Sequence, residues 1–113
     1  MQQVPRLTNL PGRMNENDPM NQRITLNIRY DQPPEAWNAV MRVYESMPGW
    51  LGSSDFPRWY GTEEEAKYVW ASVEPGGIVF EAQMDSEDWV RWITDLCNRL
   101  SAALRRPVHD AEA

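Results

Sequence analysis

The clearest pattern in the chain is a pair of alternating apolar and polar runs on either side of residues 74–77, Glu-Pro-Gly-Gly. A proline followed by two glycines marks a turn, so the two runs are expected to pair as a β-hairpin in which Val73 lies opposite Ile78. One face of this hairpin is then almost wholly apolar: Val69, Ala71, Val73, Ile78, Phe80, Ala82 and Met84. The other face is mixed: Tyr68, Trp70, Ser72, Val79, Glu81 and Gln83. Such alternation predicts one face covered by the rest of the chain and one open to water or to a partner.

A second alternating run precedes the hairpin. From Arg23 onward, apolar side chains occupy every other position, at Ile24, Leu26, Ile28 and Tyr30. A period of two predicts a half-buried strand. Residues 31–34 contain two prolines, which end the strand and open a helix, because proline is tolerated only in the first turn of a helix.

Two amphipathic helices are predicted from a period of three to four residues. The first covers residues 34–47 and ends at Pro48 and Gly49; its apolar stripe is Trp37, Val40, Met41, Tyr44 and Met47. The second begins at an N-cap, Asp85 or Ser86, and ends before Pro107. Its stripe runs over about five turns: Trp89, Trp92, Ile93, Leu96, Leu100, Ala103 and Leu104.

These elements predict an α+β fold: a two-layer sandwich with a mainly antiparallel sheet and two helices on one face. The split β-α-β arrangement of ferredoxin-like folds is the closest common architecture. Residues 22–113 are expected to form this single domain, and residues 1–21, which are poor in large apolar side chains, to form a disordered or loosely held tail. Residues 50–66 are expected to be mainly loop. We expect a short strand near 58–60, and an acidic segment at 62–65 that is either loop or one helical turn.

Charge and cysteine content narrow the classes of function. The net charge of −6 over 113 residues argues against nucleic-acid binding and against binding to an anionic membrane, which both need a basic surface. It is compatible with a basic protein partner and equally with simple solubility. The single Cys97 cannot form an internal disulfide. The first twenty residues lack the apolar core of a signal peptide, so the sequence predicts a cytoplasmic protein.

No catalytic motif is present in the sequence, which predicts a protein that is not an enzyme and has no cofactor or metal. His109 is the single histidine and falls in a predicted tail, whereas a general base needs a pocket and a metal ligand needs companions. Cys97 lies beside a helical stripe and is expected to be a small buried residue rather than a reactive thiol.

The candidate binding residues are aromatic and acidic. Trp and Tyr are the side chains most enriched at binding hot spots. Tyr68 and Trp70 point away from the apolar face of the hairpin, and Trp59 and Tyr60 precede them in a short polar segment. The hypothesis is one exposed patch that also includes acidic groups nearby; the alternative is a small satellite core under a loop. The patch residues are Trp59, Tyr60, Glu63, Glu64, Glu65, Tyr68, Trp70 and Glu81.

Three features together resemble the small acidic immunity proteins of bacterial polymorphic-toxin systems. They are Trp59-Tyr60-Gly61, the turn-containing segment 71–77, and the pair Trp89 and Trp92 on the last helix. The resemblance covers residues 24–110. It implies a cytoplasmic protein that binds a cognate toxin and blocks its active site, without implying which residues make the contact.

Two other functions stay open from the sequence. One is a small ferredoxin-like domain that dimerises through its open sheet face and holds or converts a small molecule between sheet and helices. The other is RNA binding on sheet aromatics, which the acidic charge disfavours.

Overall fold

The computed structural model of the protein describes residues 20–53 and 55–112. The predicted tail at 1–21 lies outside this part of the chain, apart from Met20 and Asn21, which open the first strand. The elements are β1 (Met20–Leu26), α1 (Pro34–Ser46), β2 (Trp50–Gly52), β3 (Arg58–Trp59), β4 (Tyr68–Glu74), β5 (Gly77–Met84) and α2 (Ser86–Leu104). The prediction of an α+β two-layer sandwich with two helices over an antiparallel sheet is confirmed.

The five strands form one antiparallel sheet in the order β1-β5-β4-β3-β2. The central hairpin has the register that its sequence predicts, with Val73 opposite Ile78. Gly77 is required beside this turn, because its φ is +147° and a Cβ there would collide with the carbonyl oxygen of Leu26 on β1. Val73, at the end of its strand, is 51% exposed although its parity places it on the apolar face.

The strands on either side of α1 run in the same direction. β1 and β2 lie at opposite edges of the sheet, and three strands separate them. The segment β1-α1-β2 is therefore a split β-α-β unit, the feature that ferredoxin-like folds share. Four strands lie between the two helices, whereas the β-α-β-β-α-β order has two there.

Both helices begin at residues that favour a helix N-terminus. Pro34 occupies the first turn of α1, which ends at Ser46, one residue before the predicted end. At the start of α2, the carboxylate of Asp85 accepts the backbone N–H of Asp88 at 2.8 Å, which confirms the N-cap. Neither helix is long and apolar enough to cross a membrane. The buried residues of α2 are Trp89, Trp92, Ile93, Leu96 and Leu100.

An aromatic cluster lies between the sheet and the helices, with Trp59 at its centre. Trp59 is fully buried, and its indole N–H donates to the carbonyl oxygen of Tyr44 at 3.1 Å. Its ring centroid lies 5.0 Å from those of Tyr44 and Trp92. The prediction that Trp59 belongs to an exposed patch is therefore wrong. The reason is register: Trp59 pairs with Val69, which faces the helices, and the preceding Arg58 takes the open side.

The last described residues run along the outer edge of β1. The backbone N–H of Ala111 donates to the carbonyl oxygen of Thr25 at 2.7 Å. The side chain of Asn27 holds the same segment, because it accepts the N–H of His109 at 2.8 Å and donates to the carbonyl oxygen of Pro107 at 3.2 Å. This segment is thus tied to the sheet edge.

Candidate functional site

A row of side chains crosses the open face of the sheet, on the side away from the helices. Cross-strand pairing places Arg23 beside Glu81, Glu81 beside Trp70, and Trp70 beside Arg58. Arg23 and Glu81 form an ion pair. The half-buried Trp70 therefore lies between two charged positions on neighbouring strands.

An aromatic patch is built on this row from Phe56, Tyr68 and Trp70. Tyr68 and Trp70 are two positions apart on β4, so their side chains share the open face. Phe56 comes from the loop before β3, and its ring centroid lies 5.3 Å from that of Trp70 at an interplanar angle of 47°. Phe56 is 41% exposed, which is high for a phenylalanine. The aromatic patch is therefore an apolar surface that remains in contact with water.

The ion pair of Arg58 and Glu63 borders the aromatic patch. The Nη1 atom of Arg58 lies 2.9 Å from Oε1 of Glu63, and the Arg58 side chain is only 18% exposed. The contact is an ion pair rather than an aligned hydrogen bond, because the buried Nη1 atom has no hydrogen-bond partner of good geometry. The pKa of Glu63 is lowered, first by a hydrogen bond from its own backbone amide and then by the Arg58 guanidinium. Glu63 therefore stays ionised and ties its loop to the open face.

The acidic segment after β3 is a loop, not a helical turn. The backbone N–H of Glu65 donates to the carbonyl oxygen of Thr62 at 3.0 Å, and the Thr62 N–H donates to Oε1 of Glu65 at 3.3 Å. Glu63, Glu64 and Glu65 are all exposed. The loop thus carries three carboxylates into water, and its first one pairs with Arg58 at the edge of the patch.

Tyr60 is not part of the patch, and this prediction is also wrong. Simple alternation after Trp59 would place its side chain on the open face. However, Tyr60 has a φ of +73°, and the chain bends at this residue. Its ring instead packs against Gly49, where a Cβ would come within 2.7 Å of the ring, and the ammonium of Lys67 lies 4.3 Å from the ring centroid. Tyr60 therefore lies on the helix side of the sheet.

The structure therefore brings together part of the predicted site. The residues found on or beside the open face are Tyr68, Trp70, Glu81 and Glu63, with Glu64 and Glu65 in the adjoining loop. Sequence reasoning missed Phe56 and Arg58. The signal for Phe56 was a large apolar residue in an otherwise polar loop, and the signal for Arg58 was its place one residue before the core Trp59 on a strand.

The residues most often used as metal ligands or nucleophiles can be located in the described part of the chain. They contain no group of three or more His, Cys, Asp or Glu that could hold a metal ion. Burial, followed by the charge of Asp110, raises the pKa of the half-buried Cys97 and so keeps its thiol protonated. The His109 ring lies at the sheet edge, where Nε2 is 3.3 Å from the Asn27 amide nitrogen and Nδ1 is 3.0 Å from the carbonyl oxygen of Asp110.

Comparison with known proteins gives no relative. No family model matches the sequence, no curated protein matches it, and no solved structure matches its fold. Functional proposals for the chain rest on its own residues.

Proposed function

We propose that the chain is a non-enzymatic protein-binding module, most concretely a bacterial immunity protein that neutralises a cognate basic toxin by covering its active site. The observation that carries the proposal is the exposed contact of Phe56 with Trp70 on the open sheet face, next to the Arg58–Glu63 ion pair.

The aromatic patch has the composition of a binding hot spot. Trp, Tyr and Arg dominate such sites, where they fill pockets on the partner and exclude water. Trp70 and Tyr68 stand on a strand in the interior of the sheet; both pair with β5, and Trp70 also pairs with Arg58 on β3, which holds the backbone in place. A rigid platform lowers the entropy lost on association, which favours tight binding by a small surface.

Charge supports a basic partner. The chain carries a net charge of −6, and three carboxylates extend from the loop that borders the aromatic patch. Acidic groups beside an apolar contact steer a basic protein toward it and raise the association rate, more at low salt than at high salt. Nucleases and other toxins that act on nucleic acids need basic active sites, and an acidic protein covers such a site well.

The test is neutralisation and binding of the toxin encoded by the neighbouring gene. Co-expression of this chain is expected to restore growth of bacteria that produce the toxin domain. In calorimetry with the purified toxin domain, Trp70→Ala should weaken binding by about 2 kcal/mol or more, roughly 30-fold in Kd. Val90→Ala is the matched control, because Val90 is 57% exposed but lies on α2, on the other side of the molecule.

Two results would argue against the proposal. A neighbouring gene that encodes no toxin removes the immunity role, and unchanged affinity of a folded Phe56→Ala/Trp70→Ala variant places the partner elsewhere. The same variants test whether the open face joins two copies of this chain. In that case sedimentation should show a concentration-dependent dimer that Trp70→Ala dissociates.

A further inference from the structure

A pocket of about 210 Å³ opens on the helix side of the sheet, away from the aromatic patch. It lies between the ends of β4 and β5 and the first turns of α2. Its walls are the apolar side chains of Met84 and Trp92 together with Pro48, whose carbonyl oxygen accepts the indole N–H of Trp92 at 3.2 Å. Its rim carries Tyr60 and Lys67, together with Asp88, Arg91 and Asp95 from α2. The pocket therefore has an apolar floor and a charged, hydrogen-bonding rim.

Tyr60 is placed at this rim by a backbone conformation that costs energy. A tyrosine with a φ of +73° is uncommon, and residues of this kind concentrate at functional sites. The conformation is held because the Tyr60 N–H donates to the carbonyl oxygen of Gly49 at 2.8 Å. Burial and the charge of Asp88 raise the pKa of the Tyr60 phenol, which therefore keeps its proton and acts as a hydrogen-bond donor at neutral pH.

Two cations, Lys67 and Arg91, and two carboxylates, Asp88 and Asp95, line the pocket. Asp88 serves two cations, because its Oδ2 lies 3.8 Å from Nζ of Lys67 and its Oδ1 accepts from Nη2 of Arg91 at 3.0 Å. The next carboxylate on the helix, Asp95, is already bonded to Arg99 at 2.9 Å. Because Arg99, which lies outside the pocket lining, pairs with Asp95, the two pocket cations share the single carboxylate of Asp88.

The carboxylates next to this group are turned toward backbone amides. Asp85 accepts the N–H of Asp88 at 2.8 Å, and Glu65 accepts the N–H of Thr62 at 3.3 Å. Neither carboxylate forms an ion pair with Lys67 or Arg91, whose side chains are 45% and 71% exposed.

We propose that this pocket binds a small organic carboxylate with a flat apolar body. Arg91 and Lys67 hold the carboxylate, since guanidinium matches its two oxygens and ammonium adds a second charge-assisted bond. The Tyr60 hydroxyl donates a third bond, and Trp92 and Met84 contact the apolar body. The volume equals about seven water molecules at about 30 Å³ each, which suits a small aromatic acid rather than a drug-sized molecule.

This site goes beyond the proposed protein-binding function and is independent of it, because the aromatic patch lies on the other face of the sheet. It develops the alternative that the sequence left open, a small molecule held between sheet and helices. Loss of toxin binding and loss of carboxylate binding would be seen with different variants.

The test is a titration with sodium benzoate at constant ionic strength, followed by the ¹H–¹⁵N resonances of the Trp92 indole and the Arg91 backbone amide. Benzylamine hydrochloride is the matched cation, and sodium phosphate is an anion without an apolar body. Benzoate should give saturable shifts at both resonances and benzylamine should not. Lys67→Met and Arg91→Gln should each raise the Kd for benzoate roughly tenfold or more, and Tyr60→Phe should raise it less.

Arg105→Gln is the control variant, because Arg105 is an exposed cation at the far end of α2. It should leave the Kd unchanged. The proposal is overturned if benzoate gives no saturable shift at the pocket, if benzylamine binds more tightly than benzoate, or if phosphate binds as tightly as benzoate. It is also overturned if the folded Lys67→Met and Arg91→Gln variants bind benzoate as the wild type does.

Discussion

Truncating Trp59 and truncating Trp70 should differ greatly in their effect on stability, although both residues are tryptophans on neighbouring strands. Trp59 is fully buried, and rings of four other aromatic residues lie with their centroids 5.0 to 6.1 Å from its own. Trp70 is half-buried on the open face and has one ring neighbour, Phe56. Truncation of Trp59 should therefore strongly destabilise the fold, whereas truncation of Trp70 should destabilise it only slightly.

The free energy of unfolding that Trp59→Ala should remove has two components. Truncation of a buried tryptophan costs about 3–5 kcal/mol, since the cavity is only partly refilled. The carbonyl oxygen of Tyr44 also loses the indole donor at 3.1 Å, which adds about 1 kcal/mol or more. The sum of roughly 4–6 kcal/mol is a large share of the about 5–15 kcal/mol that holds a domain together. Trp70→Ala loses mainly its contact with Phe56, and about 1 kcal/mol is expected.

The assay is urea denaturation followed by far-UV circular dichroism, which does not depend on which tryptophan is missing. Trp59→Phe serves as the milder variant if Trp59→Ala does not fold, because it keeps an apolar ring and removes only the N–H donor and part of the volume. It should still cost more than Trp70→Ala. If Trp70→Ala proves the more damaging change, the two faces of β3 and β4 have been assigned in reverse, and the aromatic patch is core.

Three further predictions concern other parts of the chain. Asn27→Ala should lower the free energy of unfolding by about 1–3 kcal/mol and speed hydrogen exchange at the Ala111 amide, because two hydrogen bonds to the last segment are lost. The lowered pKa of Glu63 means that its stabilising contribution is present above its ordinary pKa of 4.5 and is lost as pH falls through the lower folded value. Glu63→Gln should therefore flatten the pH dependence of stability measured by urea denaturation below about pH 4.5. Cys97 should react with iodoacetamide at pH 8 at least about tenfold more slowly in the native state than in urea, because burial raises its thiol pKa above 9.0.

The register of the central hairpin could be predicted because two independent signals agree on it. The turn residues fix where the chain reverses, and the alternation fixes which side chains share a face; a shift by one residue would turn all of them around. The second helix could be predicted equally well, because its N-cap Asp85 and its apolar stripe up to Leu100 depend only on local sequence. Long elements with a local signal at each end are the ones that the sequence predicts well.

The region between the first helix and the hairpin could not be predicted in the same way. β2 has three residues and a bulge before Gly52, and β3 has two, so neither is long enough to show a period. Their faces are set by pairing with β4, which is a long-range contact. The face of the sheet on which the Tyr60 ring lies depends on a positive φ, which the residue type at that position does not predict. These are the residues on which the predicted patch and the observed one differ.

In the proposed complex, affinity and association rate should depend on different residues. Arg23 is paired with Glu81 and Arg58 with Glu63, so the charges that flank Trp70 are already matched within the chain. A partner that docks on Trp70 therefore gains mainly apolar contact there, and exposed ion pairs at such a rim contribute little net energy. The charge available for steering lies in the loop, at Glu64 and Glu65. Substitutions in the row should then act on the dissociation rate, whereas charge reversal in the loop should act on the association rate and lose its effect as salt rises.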